Sequence, residues 1–138
     1  MNRGDLQKIA LMRVEEARIL LAKKHFDGAY YLLGYAVECA LKSRIAKQIK
    51  RYDFPDKNFI TDAYTHNLEN LLNQTGLKSK LTKEAKKNQA LNLNWAIVKD
   101  WSEAYRYKHG MAERKARDIF NAVTADKVGI LPWLKKYW

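Results

Sequence analysis

Residues 26 to 49, FDGAYYLLGYAVECALKSRIAKQI, form the longest apolar run in the chain. Ala29, Leu33, Ala36, Val37, Ala40 and Leu41 recur at helical spacing, and Tyr30, Tyr31 and Tyr35 widen their face. A helix of two dozen residues spans about 36 Å. The pattern predicts the central helix of a small all-helical bundle. Two residues interrupt it. Gly34 costs about 1 kcal/mol of helix propensity against alanine, which marks the close approach of a neighbour: the first helix or a second subunit. Glu38 sets a carboxylate beside the apolar stripe. An unpaired buried charge is costly, so a cation or hydrogen-bond donors must meet it, and Arg106 and Arg13 are the expected partners. Such a pair is either a structural ion pair or part of a polar cleft.

The rest of the chain reads as helices set around this one. The first runs from about Asp5, which can cap it, to Lys24. Leu6, Ile9, Ala10, Val14, Ala17, Leu20 and Leu21 face inward, and Glu15, Glu16, Lys23 and Lys24 face water. The turn His25–Gly28 is short, so the first two helices are antiparallel neighbours. Residues 52–63 read as a loop, broken by Asp53, Pro55, Asp56 and Asn58. Thr65 caps a short helix that buries Leu68, Leu71 and Leu72 and stops at Gly76. After a linker at 78–80, Thr82 caps a helix whose inner stripe is Leu91, Trp95, Val98 and Tyr105. Lys83, Lys86 and Lys87 then crowd its first turns, where the helix dipole disfavours cations. They are either a solvated face or a surface needed for something else. A last long helix spans about Met111 to Asp126. Gly129 and Pro132 end the pattern, and Trp133, Leu134, Tyr137 and Trp138 form an aromatic tail that must dock. With 138 residues, two prolines and six glycines, the expectation is one all-α domain over 1–138.

The net charge of +11 favours anionic partners: RNA, DNA, a nucleotide, an acidic protein or an anionic membrane surface. Part of that charge, Lys42, Arg44, Lys47, Lys50 and Arg51, clusters where the central helix ends and complements its dipole. The single cysteine, Cys39, permits no intrachain disulfide and suits a reducing, cytoplasmic setting. The first residues, MNRGDLQK, are followed by no signal-peptide apolar core, and no run is long enough to span a membrane. Zinc-binding pairs, phosphate-binding glycine loops and nucleophile motifs are absent from the sequence. No cofactor and no metal are expected.

The most chemical stretch is Arg106–Tyr107–Lys108–His109. Arg106 carries a permanent, fork-shaped donor suited to phosphate, and His109 carries an imidazole suited to proton transfer. Two intervening residues bring them to one face only if the segment is helical. There they could hold a phosphodiester and remove a 2′-hydroxyl proton. Otherwise Arg106 pairs with a carboxylate such as Glu38 and His109 is a surface residue.

The run HFDGAYYLLGYAVECALKSRIAK resembles the second helix of HEPN domains (higher eukaryote and prokaryote nucleotide-binding). The preceding EEARILLAKKHFDGA, the segment Thr65-His66-Asn67-Leu68, the helix ending at Trp101 and the Arg106-Tyr107 junction follow in the family's order. The resemblance covers nearly the whole chain. It implies an up-and-down bundle of four to five helices that pairs as a homodimer. Within the family some members are metal-independent ribonucleases, some are toxins held by a minimal nucleotidyltransferase, and some only bind RNA or nucleotide. The resemblance thus implies an RNA-, nucleotide- or partner-binding module with Arg106 on phosphate. Glu38, Lys42, Tyr107, Lys83, Lys86 and Lys87 are candidate auxiliaries. The alternative is an endoribonuclease toxin using Arg106 and His109. The family's catalytic arginine and histidine are separated by four to six residues, whereas His109 follows Arg106 after two. Arg18 and His25 have the right spacing but lie on the first helix and its turn.

Overall fold

The structure, a computed structural model, describes residues 1–49 and 53–138. Lys50, Arg51 and Tyr52, expected in the basic end of the central helix and the loop after it, lie outside the described residues. The chain is all-helical, with no strand among the described residues. Its α-helices are α1 (Arg3–Ala22), α2 (Phe26–Gln48), α3 (Lys57–Ala63), α4 (Leu68–Gln74), α5 (Lys78–Lys87), α6 (Gln89–Lys99), α7 (Glu113–Thr124) and α8 (Ile130–Lys135). A 3-10 segment, Glu103–Tyr107, sits between α6 and α7.

The central helix is where the periodicity expects it. Helix α2 packs against α1, α4, α7, α8 and the 3-10 segment. Its buried residues run round the helix: Ala29, Tyr30, Leu33, Ala36, Val37, Cys39, Ala40, Leu41 and Ile45. A helix apolar on every side can only be satisfied in the middle of a fold. Helix α1 offers it a narrow stripe, Ala10, Val14, Ala17 and Leu21, whose small residues let the two backbones approach closely. The link between them is a tight helix-ending turn. The His25 amide donates to the Leu20 carbonyl (2.8 Å), the Lys24 amide donates to Leu21 (3.0 Å), and Lys24 sits at φ 63°.

The close neighbour of Gly34 is Trp101. A Cβ at Gly34 would lie 2.1–2.2 Å from the indole ring, and Trp101 is 3% exposed. The bare backbone of α2 is therefore the seat of the ring that precedes the 3-10 segment.

The chain divides into more helices than four or five, for local reasons. Asn2, rather than Asp5, caps α1: its side chain accepts from the Asp5 amide, and the Asp5 carboxylate accepts from the Asn2 amide. Helix α3 forms inside the expected loop, directly after Pro55 and Asp56. Asn67 caps α4 (2.9 Å to the Asn70 amide), while the Thr65 hydroxyl accepts from the Asn67 amide. The expected long helix from Thr82 is two helices. Asn88 is extended and its side chain accepts from the Leu91 amide (3.2 Å), so it stops α5 and starts α6. Helix α5 begins at Lys78, and Thr82 lies inside it with its hydroxyl on the Lys78 carbonyl. Lys86 and Lys87 thus occupy the last turn, where the dipole favours them, rather than the first. The aromatic tail docks as α8. Pro132 falls in its first turn, where no amide is needed. Trp133 is buried, packs tilted against Tyr137 with ring centroids 5.0 Å apart and donates its indole N–H to Glu84. The Tyr137 carbonyl accepts from Arg44 (3.1 Å) and Lys47 (3.4 Å), so these α2 cations clamp the tail.

Candidate functional site

The 3-10 segment carries a ridge of cations on aromatic rings. Trp101, wedged against Gly34, fixes its entry, and the Ser102 hydroxyl accepts from the Ala104 amide (3.2 Å) to start it. Tyr105 packs on Tyr30 of α2 with ring centroids 4.6 Å apart. Arg106 lies with its guanidinium carbon 5.5 Å from the Tyr31 ring centroid and 6.0 Å from that of Tyr107. Its Nε and Nη2 both donate to the Tyr31 hydroxyl, at 3.1 and 2.8 Å. Two donors hold the fork in place and the others stay open. Lys108 Nζ is 4.4 Å from the Tyr105 centroid. Lys115, one turn into α7, donates to the Tyr105 hydroxyl (2.9 Å) and lies 5.4 Å from the Tyr30 centroid.

The electrostatics follow from this packing. Lys115, through its hydrogen bond, pulls the Tyr105 hydroxyl below the usual phenol range. Burial, then Tyr105, pushes Tyr30 well above it. The Tyr31 hydroxyl favours the charged form of Arg106 still further. Among the described residues, Arg106, Lys108 and Lys115 make no ion pair with a carboxylate, and all three are exposed. Three uncompensated cations held by rings are side chains already positioned in the absence of an anion, an arrangement whose chemistry suits phosphate. Tyr107, 81% exposed, offers a free aromatic face beside them.

His109 stands differently. The 3-10 segment ends at Tyr107, and Lys108 is extended (φ −106°, ψ 156°), so helical spacing does not carry His109 back to the face of Arg106. The chain then turns through Gly110 at φ 83°. Asp27 fixes that turn, its carboxylate accepting from the amides of Gly110 (3.2 Å) and Met111 (2.9 Å). His109 itself is exposed and makes no side-chain hydrogen bond among the described residues.

Glu38 does not meet Arg106 or Arg13. Arg106 is engaged with Tyr31, and Arg13 pairs with Glu16 one turn along α1. The carboxylate, 3% exposed, is held instead by Lys42 Nζ at 3.2 Å and by His66 Nδ1, which is 3.1 Å from both of its oxygens. Lys42 is an i+4 neighbour and was reachable from helix spacing. His66 was not, because it comes from the α3–α4 connection. The Asn67 cap and the buried Leu68 beside it fix His66 over α2. The neighbouring Cys39 thiol is pushed up to about 11, chiefly by burial.

The ridge thus brings together Arg106 and Tyr107 and adds Tyr31, Lys108 and Lys115, which sequence reasoning missed as binding residues. The signal for Lys108 was the alternation of tyrosine with cations over residues 105–108, and Tyr31 and Lys115 carried none. Glu38 and Lys42 form a separate cluster with His66. Lys86 and Lys87 line a cleft between α4, α5 and α6, while Lys83 stands exposed on α5 without lining it. Comparisons with protein-family models, curated proteins and solved structures find no match for the chain. Among the described residues no helix is long and apolar enough to cross a membrane.

Proposed function

We propose that the chain is an RNA-binding module of HEPN type that grips the phosphate backbone of single-stranded RNA with Arg106, Lys108 and Lys115. The observation that carries the reading is the ridge itself: three cations seated on tyrosine rings, with no carboxylate partner among the described residues, on a chain of net charge +11. Single-strand binders combine such a charged track with aromatic faces on which bases stack, and Tyr107 supplies one here. In this reading two copies pair as in other HEPN domains, and a minimal nucleotidyltransferase is the candidate protein partner. In this reading the module binds rather than cuts, which the extended Lys108 between Arg106 and His109 supports.

Fluorescence anisotropy with a labelled 12-nucleotide RNA tests it. Arg106→Ala/Lys115→Ala should weaken binding by roughly tenfold or more, since each phosphate contact is charge-assisted. Lys57→Ala, on α3 away from the ridge, removes a charge as well and should change affinity by less than about twofold. An equal loss per charge removed in the two proteins would mean that net charge, not the ridge, holds the RNA. Metal-independent cleavage abolished by His109→Ala would instead establish the nuclease.

A further inference from the structure

We infer that the cleft between α4, α5 and α6 is a base-reading site for an unpaired adenine of the same RNA strand. This rests on the RNA-binding reading of the ridge and extends it from backbone to base. The cleft encloses about 800 Å³. Its floor is apolar, formed by the buried Leu72 and Leu81, and its wall includes the half-buried indole of Trp95. Its polar lining includes carboxamides at exposed positions. Asn70, Asn73, Gln89 and Asn92 all line it, and none of these carboxamides is engaged in a side-chain hydrogen bond among the described residues.

A carboxamide presents a donor and an acceptor side by side. That pair matches the amino group and N7 of adenine, while an aromatic face takes the base by stacking. Lys78, Lys86 and Lys87 also line the cleft and carry no carboxylate partner among the described residues; Glu69 is the one acidic residue on the lining. The site therefore offers stacking, edge recognition and phosphate neutralisation in one concavity. Helix α6 connects it to the ridge through the chain: Gln89 and Asn92 open the helix, and its far end, about 16 Å along the axis, leads through Trp101 into the 3-10 segment.

The test compares a 12-nucleotide adenine RNA with an abasic strand of equal length and charge, and with a uridine 12-mer. The wild-type chain should bind the adenine strand roughly tenfold more tightly than the abasic one, and several-fold more tightly than the uridine strand. In a Tyr107→Ala background, which removes the stacking face of the ridge, Trp95→Ala should bring adenine and abasic strands to within about twofold while leaving salt-dependent binding through the ridge. Asn73→Ala/Asn92→Ala, both at exposed positions, should erase the preference for adenine over uridine even if Trp95→Ala fails to fold. Equal binding of adenine and abasic strands by Tyr107→Ala, whose cleft is intact, overturns the cleft and leaves the phosphate grip of the ridge standing. A base preference that survives both variants also overturns it. Failure of every strand to bind at 50 mM salt removes the RNA reading itself.

Discussion

Gly34→Ala is the sharpest structural perturbation available. The added Cβ would lie 2.1 Å from the Trp101 ring, where carbon–carbon contact needs about 3.5 Å, so the ring must move by about 1.4 Å. Trp101 is 3% exposed and also packs at 5.9 Å from Tyr31, so it has little room to slide. Overpacking that is absorbed in place costs about 1–3 kcal/mol. Expulsion of the ring forfeits its burial, as a truncation of tryptophan would, at about 3–5 kcal/mol. Alanine returns about 1 kcal/mol of helix propensity. With little room to slide the ring is expelled, and the expected net loss is about 2–4 kcal/mol in urea unfolding followed by circular dichroism. In a Trp101→Ala background the obstacle is gone, and Gly34→Ala should stabilise by up to about 1 kcal/mol. That reversal of sign identifies the contact. A neutral or stabilising Gly34→Ala in the wild-type background would refute the packing. Because Trp101 leads into the 3-10 segment, the variant should also weaken RNA binding.

The Glu38 cluster predicts non-additivity. Lys42→Ala/His66→Ala strands a buried carboxylate and should cost about 3 kcal/mol, discounted from the fully buried case because both partners are partly exposed; adding Glu38→Gln should recover about 1 kcal/mol in the same urea assay. Lys24 holds a left-handed φ of 63° at the α1–α2 turn, so Lys24→Gly should raise stability by about 0.5–1 kcal/mol in thermal unfolding. Burial holds the Cys39 thiol at about 11, above its ordinary 9.0, so the folded chain keeps a proton that the unfolded chain releases. Stability from this group is intact below pH 9 and falls as pH rises from 9 to 11. Cys39→Ala should flatten that part of the stability–pH curve, which denaturant midpoints taken across the window would reveal.

Much of the fold was legible because α2 is apolar over so many consecutive turns. No shift of register leaves it a solvent face, so its central place followed from periodicity. Gly34 was legible as a close contact but not its partner, since Trp101 arrives from 67 residues away and distance in sequence carries no pairing signal. Helix boundaries were lost where asparagines outcompete continuing periodicity. Asn88 splits α5 from α6, and that split moves Lys86 and Lys87 to the favourable end of a helix. The same mechanism hid the partner of Glu38: Asn67, not Thr65, caps α4 and aims the preceding His66 at α2. The sequence marked Arg106 for its chemistry, and the structure places it exposed on the ridge. Its tyrosine seat was not legible, because Tyr31 reads from sequence only as part of the apolar face of α2.

The salt dependence of RNA binding tests the ridge most directly. For single strands, the slope of log affinity against log salt is about −0.7 for each phosphate neutralised. Removing three contacts in Arg106→Ala/Lys108→Ala/Lys115→Ala should make the slope shallower by about two, measured between 50 and 200 mM salt on a 12-nucleotide RNA. An unchanged slope, with affinity equal to that of the wild type, would contradict a phosphate-binding role for these residues.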